Sequence, residues 1–95
     1  MEKRLHEAQN ILRAYLNSNG KRFSVERYRM LEAILAQKGE FTFSELLAYA
    51  RKHKKVFAAS TVYRNFDIYT ESGIITGISE KPAVYKVTLP EKTEN

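Results

Sequence analysis

The sequence predicts an α+β domain in which several short helices are followed by a two-stranded hairpin. Two observations lead to this fold class. Four segments within the first three quarters of the chain repeat apolar residues at the spacing of an amphipathic helix. Two later segments, residues 74–78 and 83–87, are short, rich in β-branched residues and separated by turn-forming residues, which is typical of neighbouring strands.

Length and charge limit the classes of function. A chain of 95 residues suits one domain with a single modest core. We assign residues 1–88 to this domain, with residues 1–19 as an additional N-terminal helix and residues 89–95 as a polar tail. The formal charge of +5 favours an anionic partner such as nucleic acid, although a merely soluble basic domain has the same balance. The sequence has no cysteine, which excludes disulfides, thiolate metal sites and thiol catalysis.

The N-terminal residues are charged throughout and lack an apolar stretch of signal-peptide length, and no run of residues approaches a membrane span. We therefore expect a cytoplasmic protein, associated with the nucleoid, without a membrane partner. A nucleophile with its base, a pair of carboxylates or a cofactor loop does not stand at useful spacing. An enzyme, a cofactor and a small-molecule substrate are accordingly not expected.

The first two helices are indicated by their apolar stripes and by their ends. The first covers residues 2–17, and the polar run that ends at Gly20 supplies its stop. Its stripe packs either on the domain's own core or in the seam of a homodimer. The second helix is predicted to begin after the N-cap Ser24 and to end at Gly39.

The last two helices carry clearer end signals. Thr42 and Glu45 form a capping box at the start of the third helix, which ends in the basic run of residues 51–55. The fourth helix begins with the sequence STVYRN, in which Ser60 and Thr61 are suited to capping, and it is closed by Gly73. At about 100° per residue, one arc of this helix packs and the other faces outward. The packing arc holds Val62, Asn65, Phe66 and Tyr69, and the outward arc holds Tyr63, Arg64, Asp67, Thr70 and Glu71.

Helices with short connections followed by a hairpin are in the order of a winged helix. In that fold the last helix of the core enters the DNA major groove with its N-terminal residues nearest the bases. Tyr63 and Arg64 occupy this first turn, where an arginine can bind guanine and a tyrosine ring can contact a thymine methyl. The alternative is that Tyr63 covers the core and Arg64 pairs with Asp67 or Glu71.

The segments KRFSVERYRMLEAIL and STVYRNF, followed by ESGII and a hairpin, resemble the DNA-binding half of the ferric uptake regulator family of bacterial repressors. The resemblance covers roughly residues 16–87. It implies that Tyr63 meets bases in the major groove and that Arg64 contacts DNA. It further implies that Arg22, with Lys21 as a neighbouring candidate, reaches a minor groove, and that Arg27 lies near the DNA backbone.

The resemblance also implies metal ligands that this sequence does not supply. The position of the histidine expected before the third helix is occupied by Glu40 or Phe41. The position of the glutamate expected in the last strand is occupied by Lys86, whose charge opposes a cation. The two histidines present, His6 and His53, are more typical of solvated surface residues. We therefore expect no bound metal and no control by metal in the family's manner. Family members continue into a dimerising domain, so the chain is either naturally short or a shortened version of a longer protein.

The remaining basic residues have two interpretations. Lys54 and Lys55 lie either on a solvated helix end or in a clamp on DNA phosphates. Lys81, in the hairpin turn, is a further candidate for a phosphate contact, across the adjacent groove. The resulting function is a sequence-specific double-stranded DNA-binding transcription regulator. The alternative is a winged-helix adaptor that binds a protein and has only nonspecific affinity for DNA. The predicted DNA-binding residues are Lys21, Arg22, Arg27, Lys54, Lys55, Ser60, Thr61, Tyr63, Arg64 and Lys81.

Overall fold

The structure, a computed structural model, describes residues 2–54 and 59–89 of the chain. This part contains four helices and a three-stranded antiparallel sheet, so the predicted α+β winged helix is confirmed. The elements in chain order are α1 (Glu2–Ser18), α2 (Val25–Leu35), β1 (Glu40–Thr42), α3 (Phe43–Lys52), α4 (Ala59–Glu71), β2 (Ile75–Glu80) and β3 (Ala83–Val87).

Local capping interactions set most of the helix ends. At the start of α2, the Ser24 side chain accepts a hydrogen bond from the backbone N–H three residues later, at 3.1 Å. Thr42 and Glu45 form both bonds of the predicted capping box before α3. Helix α4 is closed by Gly73, whose φ of +88° suits glycine, while the next N–H donates to the carbonyl of Tyr69 at 3.0 Å.

Two predicted boundaries are wrong. Helix α2 ends at Leu35 rather than at Gly39, because the chain must leave the helix early enough to extend and pair as β1. Helix α4 begins at Ala59, so Ser60 and Thr61 lie within its first turn and do not cap it. The position before Ala59 is outside the described residues.

The short strand β1 was not predicted. It pairs with β3, which lies between β1 and β2, so that the sheet has the order β1-β3-β2. The register places Glu40 opposite Lys86. Strand β2 continues to Glu80, which shortens the predicted turn, and the ladder between β2 and β3 has an irregularity between Gly77 and Ser79. A strand of three residues is too short for alternation to be visible in the sequence.

The core draws on all four helices and on the sheet. From α1, Ala8, Leu12 and Leu16 are at most 1 % exposed, and they pack in the same cluster as residues of α2 and α4. Of the two interpretations of the α1 stripe, the structure therefore shows packing on the domain's own core. Leu5 and Ile11 of the same stripe are only partly buried, and a homodimer through the N-terminal helix stays a prediction.

We expect Leu12→Ala to lower the free energy of unfolding by about 2 to 5 kcal/mol, since it removes a fully buried side chain and leaves a cavity. Denaturant unfolding would measure this loss. Val25→Ala is the matched control, because Val25 is apolar but 65 % exposed, and it should change stability by no more than about 0.5 kcal/mol. Packing within one chain also requires that the Leu12→Ala loss be the same at low and high protein concentration; a loss that varies with concentration would contradict it.

Candidate nucleic-acid interface

Tyr63 stands in the first turns of α4 and is 72 % exposed. Its ring stacks on that of Phe43, with centroids 4.5 Å apart and planes 28° apart. Phe43 in turn meets the buried Phe66 edge-on, at 5.9 Å between centroids. Tyr63 thus rests on an aromatic platform that is anchored in the core, while most of its own surface remains accessible. It does not cover the core, as one interpretation of the sequence held.

Arg64 follows Tyr63 and is also exposed. Its guanidinium has no hydrogen bond or ion pair with any residue in the ranges 2–54 and 59–89. Glu71, one of the suggested partners, instead accepts a hydrogen bond from the hydroxyl of Tyr15, which raises the pKa of Tyr15. The guanidinium of Arg64 therefore keeps its fork of five donors available for a ligand.

Arg27, in the first turn of α2, links the segment before α2 to α4. Its Nε and Nη2 donate to Oδ1 of Asn65 at 3.3 and 3.0 Å, and its Nη1 donates to the carbonyl oxygen of Arg22. The hydroxyl of Tyr69 donates to the carbonyl oxygen of Arg27 at 2.9 Å. The side chain predicted to lie near the DNA backbone thus uses three of its five N–H donors inside the protein, which leaves two for a phosphate.

The hydroxyl of Tyr69 lies in the core beside Arg27. Tyr69 is fully buried, and this burial raises the pKa of its hydroxyl well above the ordinary value of 10.0, against a smaller lowering by the charge of Arg27. The hydroxyl therefore stays protonated and can donate its hydrogen bond over the whole physiological range of pH.

The other predicted residues come from several segments of the chain. Lys21 and Arg22 are exposed in the segment between α1 and α2. Lys54 is exposed just after α3, with a left-handed φ of +56°, and Lys81 is exposed in the turn between β2 and β3. Ser60 is exposed in the first turn of α4. Lys55 lies outside the described residues, as does the side chain of Thr61.

The residues at the family's ligand positions do not fit a metal ion. Phe41 is 2 % exposed and packs against Tyr85, with ring centroids 6.1 Å apart. Glu40 faces a cation, Lys86, across the ladder between β1 and β3. His53 is exposed and stacks on its neighbour one turn earlier. Over the part of the chain that the structure describes, no three His, Asp or Glu side chains are grouped so that they could hold a metal.

Two residues of the site were not singled out as functional from the sequence. Asn65 was placed on the packing arc of α4, where it does lie half-buried, but its contact with Arg27 was not foreseen. Phe43, at the start of α3, supports the ring of Tyr63. Helical periodicity could not reveal either contact, because it states which face of a helix is buried but not which residue of another helix it meets.

Helices α2 to α4, the hairpin wing and the exposed Tyr63 and Arg64 define a winged-helix domain of the class found in DNA-binding transcription regulators. The model of the ferric uptake regulator family matches residues 18–94, and the chain belongs to this family. Members of this family are transcription regulators rather than enzymes. Among the described residues, no helix is both long and apolar enough to cross a membrane.

Solved structures share this fold. The Helicobacter pylori ferric uptake regulator Fur, described as having three functional metal binding sites, superposes with a TM-score of 0.74 at 20 % identity, over 93 % of this chain and 60 % of that one. The ferric uptake regulator from Pseudomonas aeruginosa with manganese gives a TM-score of 0.65 at 15 % identity, over 79 % and 58 %. The chain thus matches about three fifths of the length of these relatives. A comparison with curated protein sequences returned no match.

The raised pKa of Tyr69 predicts a loss of stability in alkali. Below about pH 10 the tyrosine is protonated in both the folded and the unfolded chain, so its contribution is fully present. Above that pH only the unfolded chain loses the proton, and the free energy of unfolding falls by up to about 1.4 kcal/mol per pH unit. Tyr69→Phe should remove this part of the slope, as measured by denaturant unfolding between pH 8 and about 11.

Tyr15→Phe is the control for this comparison. The pKa of Tyr15 is also raised, so this residue too lowers the free energy of unfolding in alkali. Its hydroxyl, however, is bonded to Glu71 at the surface and is not buried. The alkaline slope should therefore respond more to Tyr69→Phe than to Tyr15→Phe. Equal slopes in the parent protein and Tyr69→Phe would contradict a buried, neutral hydroxyl.

Proposed function

We propose that the chain binds double-stranded DNA in a sequence-specific manner and regulates transcription, with α4 in the major groove. The observation that carries this proposal is the pair of exposed side chains at the start of α4. Tyr63 is supported from behind by Phe43, and Arg64 has no partner among the described residues. A side chain that is held in place but not satisfied within the protein is suited to base contact.

The other basic residues are assigned to positioning on the duplex. Arg22, with Lys21 beside it, reaches toward a minor groove, and the two unused donors of Arg27 contact a phosphate. Lys54, Lys55 and Lys81 neutralise phosphates on either side of α4, and Ser60 and Thr61 donate to the backbone from its first turn. These contacts supply affinity that weakens with salt, whereas the base contacts supply specificity.

Specific affinity in this class usually comes from two half-sites read by two copies. We infer that the protein acts as a homodimer on an inverted repeat, as a repressor in the bacterial cytoplasm at the nucleoid. The N-terminal helix offers a surface for the second copy, since Leu5 and Ile11 of its apolar stripe are only partly buried. The winged helix itself takes no part in metal sensing, because the family's ligand positions, as the resemblance places them, fall on Glu40 or Phe41 and on Lys86, a cation that opposes a metal ion.

The adaptor function has less support. A protein-binding surface of that kind would present a contiguous apolar patch. Within residues 2–54 and 59–89, the large apolar residues exposed are Val25, Tyr63 and Ile78, and they lie on α2, α4 and β2, respectively. Single exposed apolar residues on separate elements are ordinary for a soluble domain.

Selection from a random pool of duplex DNA tests the proposed function directly. We expect the parent protein to enrich an inverted repeat and Tyr63→Ala to lose preference at the bases that Tyr63 contacts. Tyr63→Phe is the matched control, since it keeps the ring that stacks on Phe43. The absence of any enriched sequence, with binding that vanishes as salt rises, would reduce the DNA affinity to nonspecific attraction and favour the adaptor.

A set of charge removals separates base contact from phosphate contact. Arg64→Ala should weaken binding to the selected duplex by about 1 to 3 kcal/mol and have a much smaller effect on random duplex. Lys54→Gln should weaken binding to both and lower the salt slope by about one unit, because one phosphate contact is lost. Fluorescence anisotropy at several salt concentrations measures both quantities.

Arg4→Ala provides the control for net charge. Arg4 lines a cleft with Leu35 and Lys86 at the C-terminal end of α2, away from the N-terminal end that carries Arg27. Its removal should leave both affinities close to those of the parent protein. Equal losses for Arg64→Ala on selected and random duplex would contradict the base contact.

A further inference from the structure

The segment of residues 21–24, which carries the proposed minor-groove contact, is held at both ends. The backbone N–H of Lys21 donates to the carbonyl of Leu16 at the end of α1, at 2.8 Å. At the other end, Ser24 caps α2 through its bond to the N–H of Arg27, at 3.1 Å. Between these anchors, the carbonyl of Arg22 accepts from the guanidinium of Arg27. The backbone at Arg22 is therefore fixed by one side chain of α2.

That side chain is in turn held by α4. Oδ1 of Asn65 accepts from both Nε and Nη2 of Arg27, at 3.3 and 3.0 Å, and this pair of bonds sets the plane of the guanidinium. Tyr69, one turn further along α4, holds the backbone of the same arginine at 2.9 Å. The connection thus runs from Asn65 through Arg27 to the carbonyl of Arg22.

Asn65 directly follows Arg64 in the chain but lies on the other arc of α4. It is half-buried, whereas Tyr63 and Arg64 are exposed, so its side chain faces α2 rather than the surface that carries the proposed base contacts. Two adjacent residues of one helix thus face in different directions. Arg64 is available to a ligand, and Asn65 is engaged by the element that holds Arg22.

We propose that Asn65 is a positioning residue for DNA recognition. Through Arg27 it fixes where Arg22 stands relative to Tyr63 and Arg64, so that the minor-groove and major-groove contacts act as one coupled unit. This inference rests on the proposed DNA-binding function and adds a residue that does not itself contact DNA.

The physical consequence lies in the entropy of binding. With the acceptor of Asn65 in place, the backbone at Arg22 is ordered before DNA arrives, and little conformational freedom is lost when it binds. Without that acceptor, the guanidinium of Arg27 is released and Arg22 must be ordered during binding. The contribution of Arg22 to affinity then falls, while that of Arg64 is unchanged because Arg64 stands on the rigid helix itself.

A double-mutant cycle tests the coupling. Asn65→Leu removes the acceptor at similar size, and Asn65→Asp keeps an oxygen for Arg27. Arg22→Ala is combined with each, and binding is measured on the duplex selected by the parent protein and on a random duplex. We expect Arg22→Ala to weaken binding to the selected duplex about tenfold in the parent and in Asn65→Asp, but less than about threefold in Asn65→Leu.

Arg64→Ala is the control in the same cycle. It should cost the same factor with and without Asn65→Leu, since Arg64 has no bond to Asn65 or Arg27 among the described residues. An equal loss for Arg22→Ala in the parent and in Asn65→Leu would overturn the proposed coupling. Failure of the proposed function looks different, because then neither Arg22→Ala nor Arg64→Ala distinguishes the selected duplex from the random one.

A measurement without DNA completes the test. Backbone order parameters from NMR relaxation should fall at residues 22–24 in Asn65→Leu and stay unchanged in the buried part of α1. If Asn65→Leu does not fold, Arg27→Lys replaces it, because a lysine cannot reach Asn65 and the carbonyl of Arg22 with the same planar fork. Unchanged order parameters at residues 22–24 in the folded variant would overturn the inference whatever the binding data show.

Discussion

Burial of one arc of α4 is the constraint on which the rest of the site depends. Val62, Phe66 and Tyr69 are at most 6 % exposed, and rotating the helix would bring them into water. Tyr69 adds a directional restraint, because a hydroxyl this deeply buried must keep a partner and finds it in the carbonyl of Arg27. With the inner arc fixed, Tyr63 and Arg64 can only face outward. The residues that stabilise the domain therefore also fix the direction in which Tyr63 and Arg64 face.

The sequence predicts the features of this arrangement that depend on residues close together in the chain. The two arcs of α4, the capping box at Thr42 and the closure at Gly73 all depend on neighbours in the chain, and all three agree with the structure. The contact of Arg27 with Asn65 spans 38 positions, and no periodic pattern records which helix faces meet. The strand β1 has three residues, too few to show alternation. The fold and the outward arc of α4 could thus be predicted, but the contacts between helices that support them could not.

The sheet pairs the residues that the resemblance aligns with the family's metal ligands. Strand β1 places Glu40 opposite Lys86 and Phe41 opposite Tyr85. Cross-strand pairs of opposite charge and of aromatic rings each stabilise a sheet by about 0.2 to 1 kcal/mol. The candidate ligand positions, Glu40 or Phe41 in β1 and Lys86 in β3, are neighbours in this register, so the residue at each one is part of the other's surroundings. Exchanging one of them for a metal ligand would leave a cation or a buried ring beside the new ligand, so a single substitution does not create a site.

Arg27 connects the two kinds of DNA contact that the proposed function requires. Three of its donors hold Arg22 and Asn65, and two remain. A phosphate that accepts from the remaining donors would restrain the same guanidinium that orders Arg22. Phosphate contact, which carries no sequence information by itself, would then help to set the geometry of a groove contact. Under the proposed function, one arginine would therefore link a phosphate contact to the position of Arg22, while the base contacts supply the specificity.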